Sequence, residues 1–128
     1  MPRALVLAVV CLAALWGGAA AAAEPAASPW FTTEQGEVRL IAAQSFVGDD
    51  RAIELGLEFR LAPHWKIYWR SPGDAGYPPR VDWAGSQNLA AADLVWPAPR
   101  RFSVLGLETV GYEGTVVLPI HAHLAHAG

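Results

Sequence analysis

The chain has 128 residues, which is enough for one domain with its own hydrophobic core. Its 9 basic and 12 acidic residues give a formal net charge of −3, and these charges are scattered along the chain. This mild acidity argues against nucleic-acid binding, which needs a concentrated basic surface.

The first 23 residues have the features of a secretory signal peptide. Arg3 supplies the basic start, residues 4–16 form an apolar run, and residues 17–23 are small residues that offer Ala-x-Ala cleavage frames. We expect cleavage after Ala23. The alternative is an uncleaved membrane anchor, since residues 4–23 are just long enough to span a bilayer. The only cysteine, Cys11, lies inside this run, so the exported chain is expected to contain no thiol.

Residues 24–36 are rich in Ala, Pro, Ser and Thr and are expected to be a linker ahead of a domain at 37–128. From Glu37 onward apolar and polar residues alternate, as expected for strands with one buried face. Residues 51–61 show this most clearly, and residues 38–42 show it more weakly. The turn residues Gly48, Asp49 and Asp50 lie between the two runs, which predicts a hairpin.

Short apolar runs continue to the end of the chain and are separated by turn residues. No segment after the signal peptide has a helical period, so the sequence predicts an all-β, immunoglobulin-like antiparallel sandwich. The expected strands are residues 65–69, 80–83, 92–96, 102–105, 109–112 and 115–124. Pro119 cannot donate to a ladder, which suggests that the last strand is an edge or is bulged. That strand also resembles half of a hairpin, so we expect the sandwich to be incomplete at its C-terminus.

Residues 63–79, PHWKIYWRSPGDAGYPP, place large aromatic side chains beside a run of turn residues. One interpretation is that the aromatic rings fill the core and the loop only reverses the chain. The other is a binding surface, because loops on sandwiches often carry function. The candidate binding residues are Trp65, Tyr68, Trp69, Asp74 and Tyr77.

Two histidines are the only candidate metal ligands. His121 and His123 point the same way on a strand, as paired ligands require, but no third ligand is evident. We therefore expect no metal site, and a small metal-binding protein that uses these two histidines is the alternative. No serine lies in a nucleophile elbow, and no glycine-rich phosphate loop is present. The residues themselves therefore predict a non-catalytic β domain without a cofactor.

Several blocks, taken in order, resemble the N-terminal periplasmic domain of the DsbD/ScsB-type thiol:disulfide interchange proteins, a protein-disulfide reductase family. The blocks are residues 57–79, 81–86, 95–102 and 111–119, and the likeness runs from about Val38 to Leu124. His64 departs from the pattern, because a glycine is expected before Trp65.

The resemblance implies a periplasmic location and a relay of reducing equivalents by thiol–disulfide exchange. The implied partners are a membrane electron-transfer domain, periplasmic disulfide isomerases and the cytochrome c maturation pathway, with no nucleic acid and no small-molecule cofactor. In relatives the cysteine pair follows the region of Val116–Leu124, so this chain resembles a truncated member, and no residue here inherits the catalytic role. The alternative is a non-catalytic periplasmic binding or interaction module.

Overall fold

A computed structural model describes residues 26–44 and 47–127, and these contain β-strands but no helix. Cys11 and the predicted signal peptide lie outside the described residues. No helix within the described ranges is long and apolar enough to cross a membrane. The strands are β1 (Ala26–Ala27), β2 (Phe31–Thr33), β3 (Gly36–Ala42), β4 (Ala52–Leu61), β5 (Lys66–Gly73), β6 (Leu89–Leu94), β7 (Arg100–Val104), β8 (Leu107–Glu113) and β9 (Thr115–Leu124).

The strands form two antiparallel sheets. The larger sheet has the order β1-β3-β4-β9-β6, with β2 also paired to β3, and the smaller sheet has the order β5-β8-β7. The predicted hairpin before Leu61 is confirmed, because β3 and β4 pair along their length from Gly36↔Leu61 to Ala42↔Leu55. The all-β, antiparallel fold class is confirmed with it.

The core is centred on β9, whose side chains alternate strictly between the two faces of the larger sheet. Leu118 and Ile120 are fully buried, with 0% exposure, while Val117 and His121 are exposed. Leu118 lies opposite Leu57 on β4, and Ile120 lies opposite Leu55. The apolar face predicted for residues 51–61 therefore packs beside the apolar face of β9, as the alternation requires.

The prediction that β9 is an edge strand is wrong, because β4 and β6 flank it on both sides. Pro119 is tolerated there for a geometric reason. Its carbonyl accepts from the Val95 amide at 2.7 Å, so its backbone groups point toward the β6 side, where β6 has already ended at Leu94. The amide that proline lacks would face Val95, directly after the last residue of β6, so the ladder between β9 and β6 ends there. A proline can occupy this central strand because the pairing of β9 with β4 does not use this amide and continues through Gly56.

Two other segments differ from their sequence-based assignments. Residues 80–83 were expected to form a strand, but they form an irregular loop in which the Ala84 amide donates to the Asp82 carboxylate at 2.9 Å. Such a side-chain bond to the backbone competes with strand pairing. Within the stretch expected to be a linker, β1 and β2 both pair with β3.

Trp30 attaches this N-terminal stretch to the outer face of the larger sheet. The guanidinium groups of Arg39 and Arg60 lie 4.4 and 4.3 Å from the centre of the Trp30 ring. Glu58 accepts from Arg39 at 3.3 Å and lies 3.9 Å from Arg60. We call these four residues the Trp30 staple, because the ring and the ion pairs hold the chain that leads into β2 against β3 and β4.

Candidate functional site

An open cleft of about 420 Å³ lies beside the start of β5. Its lining is mainly aromatic and apolar, and Lys66 is the only charged residue in it. The lining residues of this aromatic cleft are Gln35, Leu61, Trp65, Lys66, Ile67, Tyr68, Gly76, Tyr77 and Pro79. Three of the five predicted binding residues, namely Trp65, Tyr68 and Tyr77, are thus brought together.

A tight turn between β4 and β5 positions Trp65. The Trp65 amide donates to the Ala62 carbonyl at 3.0 Å, and His64 within the turn has a φ of 69°. A left-handed φ favours glycine, which explains why the family pattern predicts glycine at this position. Histidine is accepted here at some cost in backbone strain, and the turn still directs Trp65 into the cleft.

The loop after β5 forms the opposite wall of the cleft by folding over Tyr68. Gly76 has a φ of 98°, and a Cβ added to it would lie 2.6 Å from the Tyr68 ring. Only glycine permits both this backbone conformation and this close approach. The turn residues in 71–79 therefore place Tyr77 and Pro79 across the cleft from Trp65.

The rings in the cleft are accessible enough to bind another molecule. Trp65 is 43% exposed and Tyr77 is 91% exposed. A second apolar hollow of about 230 Å³ shares Gln35, Leu61 and Ile67 with the cleft and adds the side chain of Phe31, which is 68% exposed. Contiguous exposed apolar surface of this kind is typical of a binding surface for protein or peptide.

The other two predicted binding residues do not line the cleft. Asp74 connects the loop to β8, because its carboxylate accepts from the Glu108 amide at 3.0 Å and its amide donates to the Glu108 carbonyl at 2.9 Å. Trp69 is half-buried with Arg70 stacked 5.0 Å from its ring, and its indole Nε1 is buried without a hydrogen-bond partner in the part of the chain described. Asp74 therefore holds the loop that forms one wall of the cleft, whereas Trp69 is not among the residues that line it.

A buried tyrosine supports the smaller sheet behind this region. The Tyr112 hydroxyl donates to the Pro97 carbonyl at 2.7 Å, which ties β8 to the segment before β7. Burial raises the pKa of Tyr112, and the nearby charge of Arg70 lowers it in part. The hydroxyl is therefore protonated at neutral pH and acts as a hydrogen-bond donor.

The described residues contain no thiol, and no group of three metal-binding side chains occurs among them. His121 Nδ1 lies 2.6 Å from the carboxylate of Glu54, which orients the ring but leaves it exposed on the outer face of the larger sheet. His123 lies two residues further along the same face. This arrangement supplies neither a nucleophile nor a closed metal site, so the aromatic cleft remains the candidate site.

Sequence reasoning missed the cleft residues that lie far from residues 63–79. Leu61 appeared only as a core residue of a strand, and Gln35 and Phe31 lay in the expected linker. The pairing of Phe31 with Val38 and of Gly36 with Leu61 brings these residues to the cleft. No pattern within the segments signals this juxtaposition, because it depends on which strands become neighbours.

These features define an immunoglobulin-like sandwich domain with an aromatic cleft. A family model described as the N-terminal region of the thiol:disulfide interchange protein DsbD matches residues 37–128. The chain therefore belongs to the DsbD N-terminal family. No curated protein matches the sequence.

A solved structure supports both the fold and the family. The N-terminal periplasmic domain of ScsB from Proteus mirabilis superposes with a TM-score of 0.66 at 35% sequence identity. The match covers 78% of this chain and 40% of the ScsB chain. This chain thus corresponds to less than half the length of that domain.

Proposed function

We propose that this chain is part of an exported relay that passes reducing equivalents to periplasmic thiol–disulfide proteins. The match of residues 37–128 to the N-terminal region of a thiol:disulfide interchange protein carries this proposal. The match to a periplasmic domain of ScsB supports the location, and the features of residues 1–23 fit export. A disulfide isomerase or a cytochrome c maturation protein would be the acceptor.

The relay needs a cysteine pair beyond the residues described here. Thiol–disulfide exchange requires one thiolate to attack a disulfide and a second thiol to resolve the mixed disulfide. Cys11 is the only cysteine in the chain, and a single thiol cannot perform both steps. In this proposal the sandwich is the scaffold of the relay, and the aromatic cleft contributes a surface for a partner.

The deciding experiment reads the coding sequence and transcript beyond the codon for Gly128, and then assays the encoded protein. We expect an open frame with two cysteines, and a protein that forms a trappable mixed disulfide with a purified periplasmic disulfide isomerase. Replacement of either cysteine by serine should abolish reduction of the isomerase. A stop codon directly after Gly128, or a cysteine pair that exchanges with no periplasmic disulfide, would overturn the relay.

The second candidate is a non-catalytic binding module, which the exposed rings of the aromatic cleft favour. In that case Trp65→Ala and Tyr77→Ala should both weaken partner binding, and Tyr77→Ala should do so without a loss of melting temperature, since the Tyr77 ring is 91% exposed. The effect expected for one aromatic anchor is about tenfold or more in Kd. Trp69→Phe, which changes a residue outside the cleft, is the matched control and should leave Kd unchanged.

A further inference from the structure

The end of β9 is held from both sides by the residues that precede its two neighbouring strands. Arg51 lies directly before β4 and Asn88 lies directly before β6, and each has a left-handed φ of 58°. Both residues hydrogen-bond the backbone of the 124–126 segment, which is the last residue of β9 and the two residues after it. This segment therefore connects two strands that do not pair with each other.

The side chain of Asn88 takes the place of a strand partner for His126. Its Oδ1 accepts from the His126 amide at 2.7 Å, and its Nδ2 donates to the His126 carbonyl at 3.0 Å. The Asn88 carbonyl also accepts from the Ala125 amide at 3.0 Å. Asparagine suits this position because it tolerates the left-handed conformation and carries a donor and an acceptor on one side chain. Aspartate would lack the donor, and glycine would lack both groups.

Arg51 holds the same segment from the β4 side. Its carbonyl accepts from the Leu124 amide at 2.9 Å, and its Nη1 donates to the Ala125 carbonyl at 2.8 Å. Its hydrogen bonds thus end at Ala125, whereas the amide and the carbonyl of His126 both bond to the side chain of Asn88. The two sides of the segment can therefore be tested separately.

The strand that follows Asn88 has little packing of its own to keep it in the sheet. β6 is an edge strand that pairs with β9, and its register shifts between Leu89 and Ala91. Residues 90–92 are all alanine, and three of the six positions of β6 are exposed. Because small side chains bury little apolar surface, the attachment of β6 depends largely on its hydrogen bonds.

We propose that Asn88 is a latch that joins β6 to the 124–126 segment, so that the latch opens and β6 leaves β9 in a single event. β6 covers one edge of β9, the strand that carries the fully buried Leu118 and Ile120. A closed latch therefore prevents β9 from presenting unpaired backbone groups to other chains. The inference goes beyond the proposed relay, since it needs neither a cysteine nor a partner.

Amide hydrogen exchange of the full chain, measured residue by residue by NMR, tests the latch. Asn88→Gly removes both side-chain bonds and keeps a residue that adopts the left-handed conformation readily. Arg51→Gly is the matched control, because it makes the same change at the same φ and removes one bond on the other side of the segment. Asn88→Asp is a second variant, which loses the donor and keeps the acceptor.

In Asn88→Gly, the His126 amide and the β6 amides that pair with β9 should exchange about tenfold faster and by the same factor, while β3 and β4 keep their protection. Asn88→Asp should accelerate the same amides by a smaller factor, and Arg51→Gly should leave β6 at its wild-type rate. The proposal is overturned if β6 exchanges at its wild-type rate in Asn88→Gly, or if Arg51→Gly accelerates β6 equally. Equal acceleration of β4 in Asn88→Gly would show that the whole sheet loosens, and would also overturn it.

Discussion

Single residues in this protein are constrained by the close approach of backbone to aromatic rings. Gly76 and Gly85 both have positive φ angles, but they differ in their surroundings. A Cβ added at Gly76 would meet the Tyr68 ring, whereas one added at Gly85 would meet nothing within 4 Å. Substitution at Gly85 therefore tests backbone strain alone, and substitution at Gly76 tests strain together with the packing of Tyr68. The difference between them reports on the wall of the aromatic cleft.

We expect Gly85→Ala to lower the free energy of unfolding by about 1–2 kcal/mol, from backbone strain. Gly76→Ala should cost about 1–3 kcal/mol more, because its Cβ would lie 2.6 Å from the Tyr68 ring. Urea unfolding of both variants measures the difference. Equal losses for the two variants would show that the loop does not pack on Tyr68.

Tyr112 gives a prediction on pH. Burial raises its pKa above the ordinary value of 10.0, so the folded state holds the proton more tightly than the unfolded state does. The stability that depends on this proton is complete below the unfolded pKa and is lost as pH rises from there toward the folded pKa. The free energy of unfolding should therefore fall above about pH 10.

In Tyr112→Phe, the fall in the free energy of unfolding at alkaline pH that comes from Tyr112 should disappear. Near neutral pH the variant should be about 1 kcal/mol less stable than the wild type, because the hydrogen bond to Pro97 is lost. Urea unfolding at about pH 8 and about pH 11 measures both effects. Tyr77→Phe is the control, since Tyr77 is exposed and its variant should follow the wild type. An unchanged alkaline loss in Tyr112→Phe would contradict the prediction.

At the scale of elements, β9 organises the larger sheet. The alternation along residues 51–61 was sufficient to predict the half-buried apolar face of β4, and the same rule predicted which side chains of β9 share a face. It could not predict that β9 lies between β4 and β6, because strand order depends on contacts between distant segments. Pro119 then suggested an edge, since the sequence does not show that its missing amide faces the end of β6.

Because β9 lies in the middle of the larger sheet, substitutions at its buried and exposed positions should differ in their effect on the free energy of unfolding. Leu118→Ala should lower the free energy of unfolding by about 2–5 kcal/mol, because it opens a cavity at a fully buried position. Val117→Ala, on the outer face of the same strand, should cost no more than about 1 kcal/mol. Denaturant unfolding of the two variants tests this. Similar losses would mean that β9 does not face the core in the register described.

At the scale of the whole molecule, the site draws on segments that the sequence does not connect. The aromatic residues of 63–79 could be identified as candidates, and Trp65, Tyr68 and Tyr77 do meet in the cleft. Asp74 and Trp69 could not be separated from them, because their surroundings depend on Glu108 and on the bulged pairing of β5 with β8. The sequence also did not show that Phe31 and Gln35 lie at the site, because their position there depends on the pairing of β2 with β3 and of β3 with β4.

The Trp30 staple predicts how firmly the N-terminal stretch is attached. Trp30→Ala removes the ring that contacts two guanidinium groups, at a cost of about 1–2 kcal/mol. Amide hydrogen exchange should then accelerate in β1 and β2, including the Ser28 amide that donates to Leu40, while β4 and β9 stay protected. Phe31→Ala is the control and should leave the exchange of Ser28 unchanged. Equal exchange of Ser28 in both variants would contradict the staple.

The place of β9 also has a consequence for the order in which the protein can fold. It is the last strand of the described chain, yet it supplies the middle of the larger sheet, with Leu55 paired to Ile120 and Leu94 paired to the same residue. During synthesis β4 and β6 are made before β9, the strand that pairs with both of them. Until β9 is present, β4 and β6 each lack one neighbouring strand. Such high contact order favours slow folding of the larger sheet, which cannot be completed before β9 is present.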